Sequence, residues 1–285
     1  MALLDNDTQF STLVQGLDHA EGIAWGLDGY VYAGGEAGQL YRISLDGQDL
    51  TEFANTGGFI LGMALDASNN IYACDIGNRC VQKITPGGVV TTYATGVPNE
   101  PFTTPNYPAF DSQGNLYVCD SGDWKVDNGK IYRIRPGGEG EVWDRSLKEF
   151  PNGMCLGPAE EYLAVVMSLN PPRVARVQIE ADGSAGATET LVELPGTVPD
   201  GVAFDTDGNL YVACYRPDRI YRLSPSGELD VLADDYEGTA IACPTNIAFC
   251  GENLDIMLAP NLGRWHITRY DAGVTGLPLH YPDLG

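Results

Sequence analysis

No run of about 20 apolar residues occurs in this chain, so nothing in it has the length of a membrane-spanning helix. Basic residues are scarce: 16 lysines and arginines stand against 39 acidic residues, a formal net charge of −23. Such a surface repels phosphate backbones and anionic lipid, which speaks against nucleic-acid and membrane partners. Around a central cavity the same sign favours a cation. There is no CxxC pair, and the seven cysteines are an odd number; they read as buried free thiols. Histidine is limited to three residues, His19, His266 and His280. The first residues, MALLDNDTQFSTLV, lack the basic-then-apolar order of a signal peptide, so a cytoplasmic location is the expectation.

What is present is a repeat. Asp200 to Gly227 reads as an apolar strand, an Asp/Gly/Asn turn, a second strand, a polar crossing, a third strand and a closing turn. The unit occurs six times, starting at Glu21, Leu61, Asn106, Asn152, Asp200 and Thr245, at spacings of 40, 45, 46, 48 and 45 residues. That is the length of a four-stranded propeller blade. The expected fold is all-β: a six-bladed β-propeller of four-stranded antiparallel blades, one domain over residues 1–285. The sixth unit has only three clear strands, while the segment near Thr12 to Gln15 resembles the fourth strands of the others. The N-terminal strand is therefore expected to complete the last blade beside Ile267 to Tyr270. The prolines of GVPNEPFTTPN, before the third blade, predict a rigid loop.

The six starting residues share one register, just before alternating segments such as GIAW, GMCL and GVAF. If the first strands are innermost, this register lies at one mouth of the channel. Four of its residues carry oxygen ligands: Glu21, Asn106, Asn152 and Asp200. Such residues also serve as turn formers, but four at one offset in separate blades suit a hard divalent cation. Calcium fits best, with magnesium or manganese as alternatives; zinc is less suited to a set without thiolate or imidazole. Leu61 and Thr245 leave the ring open on their sides, as catalysis requires.

At these residues the chain resembles a known family. EGIAW at Glu21, the Pro-Asn pairs at Pro105-Asn106 and Pro151-Asn152, and PDGVAFDTDGNLYVA at Pro199 to Ala213 are similar to the senescence marker protein, gluconolactonase and regucalcin family. PTNIAFCGENLD and LGRWHITRYD resemble its last blade. The resemblance implies a six-bladed propeller holding one divalent metal through a Glu, two Asn and an Asp, and a small-molecule substrate, in most members a sugar lactone. Carried over, the ligands are Glu21, Asn106, Asn152 and Asp200. Family members often have an Arg two residues before the second ligand and an Asp directly after it; here Thr104 and Tyr107 stand there. With Phe102 and Trp124 these suggest a less polar pocket, suited to a hydrophobic or aromatic lactone.

The expected chemistry is metal-dependent ring-opening hydrolysis, with Asp200 as general base, Glu21 as ligand beside it and His19 as a proton shuttle. Two alternatives remain at this stage: hydrolysis of a phosphotriester or other ester at the same site, and a non-catalytic calcium-binding propeller. Nothing in the sequence sets the oligomeric state.

Overall fold

The repeat is realised as six four-stranded antiparallel sheets, whose central strands, such as Ile71–Asp75 and Leu116–Asp120, are buried on both faces between neighbouring blades. A computed structural model describes residues 10–271 and 273–285. Blade one comprises Ile23–Trp25, Tyr30–Gly34, Gln39–Ser44 and Leu50–Asn55. Blade two runs from Ile60–Leu65 to Val90–Ala94, blade three from Pro105–Phe110 to Gly140–Asp144, and blade four from Pro151–Leu156 to Ala185–Glu193. Blade five runs from Val198–Phe204 to Leu229–Asp234.

Blade six takes three strands, Ala248–Cys250, Ile256–Asn261 and His266–Asp271, from the end of the chain and its outermost strand, Phe10–Gln15, from the beginning. Thr12 pairs with Thr268 and Gln15 with His266. The first strands of successive blades pack on one another and so form the innermost ring. Buried side chains fill the spaces between neighbouring blades, as where Tyr72 of blade two meets Phe110 of blade three edge-on at 5.0 Å. The seven cysteines are buried and free. Among the described residues no helix is long and apolar enough to cross a membrane.

One expectation changes. The segment before blade three is a small hairpin, Gly96–Val97 against Glu100–Pro101, turning at Asn99 with φ 68°. The prolines are accommodated because the pairing is only two residues long. Glu100 fastens it to blade three through Lys130 Nζ at 2.7 Å and Arg145 Nη1 at 2.9 Å.

Candidate metal and active site

Proline precedes the register residue in four blades, at Pro105, Pro151, Pro199 and Pro244. In blades three, four and five the pairing of the first strand with the second breaks at this point, between Pro105 and Tyr107, Pro151 and Met154, and Pro199 and Val202. A bulge frees its residue from the ladder and re-aims the side chain. Asn106, Asn152 and Asp200 sit in these bulges and are buried.

Glycine follows the register residue in four blades, and each is needed. A Cβ on Gly201 would lie 2.6 Å from Asn246 Cα; one on Gly62 would lie 2.9 Å from Asn106 O. One on Gly22 would run into the carbonyl of Leu61, and one on Gly153 into that of Asp200. These glycines let adjacent inner strands close to near contact, which constricts the channel beside the oxygen ligands. The exceptions are Tyr107 in blade three and Asn246 in blade six, which face each other across the ring. The Tyr107 hydroxyl reaches Asn246 Oδ1 at 3.5 Å. Tyr107 therefore bars the channel beneath the mouth, and burial pushes its phenol pKa upward.

The two amides are oriented identically. Asn106 Nδ2 donates to Ser121 Oγ at 3.0 Å, and Ser121 Oγ donates to Pro151 O at 2.7 Å. Asn152 Nδ2 donates to Ser168 Oγ at 3.2 Å, and Ser168 Oγ donates to Pro199 O at 2.7 Å. With nitrogen committed to serine, each amide keeps its oxygen for another partner. Sequence reasoning missed these serines, although the signal was there. Three residues beyond the second-strand partners of Ile23, Met63, Pro108, Met154 and Val202, and at the equivalent place in blade six, stand Glu36, Ile76, Ser121, Ser168, Tyr215 and Leu262, and serine occurs only in the two blades that supply Asn.

The carboxylates of Asp200 and Glu21 feel one another. Asp200 is held well above the usual carboxylate range, first by burial and then by the charge of Glu21, while its contact with the Asn152 side chain pulls the other way. Glu21 lies deep in the ring with part of its surface open to the channel, and burial followed by the charge of Glu36 raises it too. Among the described residues no lysine or arginine pairs with either. Two neighbouring desolvated anions without a counter-charge are costly. Two carboxylates and two amide oxygens fit a hard dication, which would supply the missing charge.

Thr245 does not face the channel; its hydroxyl donates to the backbone oxygen of Glu21 at 2.9 Å, tying blade six to blade one. His19, in the left-handed region at φ 43°, sets Nδ1 at 2.8 Å from Asp18 Oδ1 and 2.9 Å from Glu36 Oε2, with its ring edge-on to Trp265. His266 is buried, with Nε2 at 3.1 Å from Ala240 O, as an ordinary strand residue would be.

The other pocket residues separate. Phe102 is 2% exposed and packs against Tyr132 in the core between blades two and three, so it does not line the mouth. The hairpin ending at Pro101 carries it inward, where the prolines alone predict a loop. Thr104 lies at the rim, where its amide donates to Asp120 Oδ1 at 2.8 Å. Trp124, 56% exposed on the loop that leaves Ser121, meets Phe150 edge-on at 4.9 Å. Phe150 was missed, as was Phe59. Both stand two residues before the register, alongside His19, Thr104, Val198 and Cys243, and both keep part of their surface exposed.

Residues 90–259 match the family described as SMP-30/Gluconolactonase/LRE-like region. The chain is 24% identical over 203 residues to the lactonase drp35 of Staphylococcus haemolyticus, covering 67% of this chain and 61% of that protein. The chain thus spans about three fifths of that relative's length. A gluconolactonase from Xanthomonas campestris superposes with a TM-score of 0.80 at 17% identity, covering 94% of this chain and 89% of that one. The calcium-binding protein regucalcin from Agrobacterium tumefaciens superposes with a TM-score of 0.76 at 16% identity, covering 97% and 98%.

Proposed function

We propose that this chain, which belongs to the SMP-30/gluconolactonase/LRE-like family, is a lactonase-type hydrolase that holds one divalent cation through Glu21, Asn106, Asn152 and Asp200. The observation that carries this reading is the pair of desolvated carboxylates beside two amides whose nitrogens are already committed to serine. Calcium suits the donor set best. When bound, the cation would polarise the lactone carbonyl and offset charge developing on its oxygen.

The chain's own residues do the rest. Asp200, with one carboxylate oxygen for the cation and the other free to face water, accepts the proton of the attacking water and returns it to the ring oxygen as the C–O bond breaks. Glu21 shares the cation and, with Asp200, balances its charge. The proton of the acid product leaves by Glu36, which lies within electrostatic reach of Glu21, to His19 Nδ1 at 2.9 Å and from there to solvent. Ser121 and Ser168 hold the amides so that no reorganisation is needed during turnover. Phe59, Phe150, Val198 and Trp124 offer apolar surface at the rim, and Thr104 replaces the cationic clamp a polyhydroxylated acid would use. The favoured substrate is therefore a hydrophobic or aromatic lactone.

The test is proton release on a panel of sugar, aliphatic and aromatic lactones, using chelator-stripped protein refilled with calcium, magnesium, manganese or zinc. Turnover restored by a dication, with apolar lactones ranked first, is expected. A protein that binds calcium yet opens no lactone would refute the hydrolase reading and leave a cation-binding propeller. Asp200→Asn should retain most of the cation affinity and lose turnover; full turnover would remove Asp200 as the base.

A further inference from the structure

Three residues after the oxygen register the six inner strands carry Ala24, Ala64, Ala109, Cys155, Ala203 and Ala248. A ring of small side chains at one level leaves a void that leucine or phenylalanine would fill. The void is a cavity of about 710 Å³ lined by these six residues and by larger apolar neighbours from every blade. None of the four oxygen donors lines it, and Tyr107, reaching toward Asn246, stands between it and the mouth. The channel is thus two compartments, polar above and apolar below.

The lower compartment has its own cover. After blade six the chain crosses the underside of the ring: Gly276 N donates to Leu254 O and Leu277 N to Phe204 O, both at 2.8 Å. His280 Nε2 lies 3.3 Å from Glu160 Oε1 of blade four, and the Tyr281 hydroxyl donates to Trp25 O of blade one at 2.7 Å. Ala67 of blade two then donates to Pro282 O at 2.9 Å. Between these anchors Leu277 to Tyr281 form the cavity's outer wall, and Leu279 remains 58% exposed.

We propose that this lower compartment is a second binding site, for a neutral, hydrocarbon-rich small molecule, closed by the C-terminal strap. Its size falls in the range of small-molecule pockets, and a preformed apolar cavity of this kind gains from any ligand that removes apolar surface from water. The ligand is neutral because no lysine or arginine lines the cavity, the one histidine in its wall, His280, already faces Glu160, Glu252 stands at its edge and the whole chain carries a charge of −23. A fatty acid carboxylate would find no counter-charge there. The site does not depend on the lactonase reading.

The test is titration of the full chain with the uncharged dye N-phenyl-1-naphthylamine, with displacement by dodecanol or dodecanoate. Saturable enhancement of fluorescence, reversed by the alcohol at concentrations where the acid has no effect, is expected. Ala203→Leu, which fills the void, and Leu279→Asp, which leaves the core untouched and puts a charge in the wall, should each weaken dye binding about tenfold. Absence of saturable binding, equal displacement by the acid, or wild-type affinity in Leu279→Asp together with Ala203→Leu would overturn the proposal.

Discussion

Asn106 and Ser121 form the unit from which the site is built: the amide nitrogen donates to the hydroxyl at 3.0 Å, and the hydroxyl donates onward to the carbonyl of Pro151. Pro151 immediately precedes Asn152, whose amide repeats the arrangement through Ser168 to Pro199, the residue before Asp200. One hydrogen-bonded line therefore connects three donors in three blades. Each serine both aims its own blade's amide and sets the backbone that carries the next donor.

Removing either hydroxyl should weaken the cation without unfolding the ring. Ser121→Ala and Ser168→Ala are each expected to lower calcium affinity by about tenfold to a hundredfold, in line with losses at residues that orient metal ligands. Each should cost the fold only about 1–2 kcal/mol. Calorimetric titration with calcium beside thermal melts separates the two effects. Unchanged affinity in both variants would mean that the amides are not ligands.

The stability of the cation-free protein should fall as pH rises. Asp200 and Glu21 are raised above the ordinary carboxylate range in the folded state, so over that interval the folded protein holds more protons than the unfolded chain. The stability they permit is complete below their unfolded values and is lost as pH climbs from about 4.5 towards the raised Glu21 value of about 8. Each linked proton contributes a slope of up to about 1.4 kcal/mol per pH unit. Melting in chelator at pH steps across this interval should show a declining midpoint, and saturating calcium should reverse the trend. A flat profile in chelator would show that the carboxylates are not burdened as described.

The glycine that follows Glu21, Asn152 and Asp200 is a steric requirement. Gly153→Ala would drive a methyl group into the Asp200 carbonyl and to 2.6 Å from Gly201 Cα. The strands must part, at a cost of about 1–3 kcal/mol, and Asn152 and Asp200 must part with them. Both the melting midpoint and the calcium affinity are expected to fall. Gly208→Ala, at a turn with φ 81° beyond the far end of the strand that carries Asp200, is the comparison: strain there should lower stability and leave calcium affinity unchanged.

The six blades and the donor register were legible because both repeat. Alternation of period two marks the strands, and one offset carries Glu21, Asn106, Asn152 and Asp200. The closing strand Phe10–Gln15 was legible for the same reason, as the missing copy of a fourth strand. Features that depend on pairing between strands were not. Ser121 and Ser168 matter only once the end of the second strand is known to lie against the bulge of the first. Phe102 was misplaced because a two-residue hairpin, too short to leave a pattern, turns it into the core. Phe59 and Phe150 became visible as rim residues only when the register was extended two positions outward.

Those two phenylalanines and Trp124 bear on substrate choice. Trp124 meets Phe150 edge-on, and both keep surface exposed beside the residues leading to Asn106 and Asn152. An apolar lactone docking there would cover that surface, whereas a sugar lactone would set hydroxyls against it. Trp124→Ala and Phe150→Ser are therefore expected to raise KM for an aromatic lactone about tenfold, the worth of one aromatic contact with its buried area. They should leave kcat and the KM for a sugar lactone nearly unchanged, because the contact is made equally in ground and transition states. Steady-state kinetics of each variant on one lactone of each kind reads the split directly. Equal losses on both substrates would point to a disturbed loop, and no loss on either would place the apolar part of the substrate away from this rim.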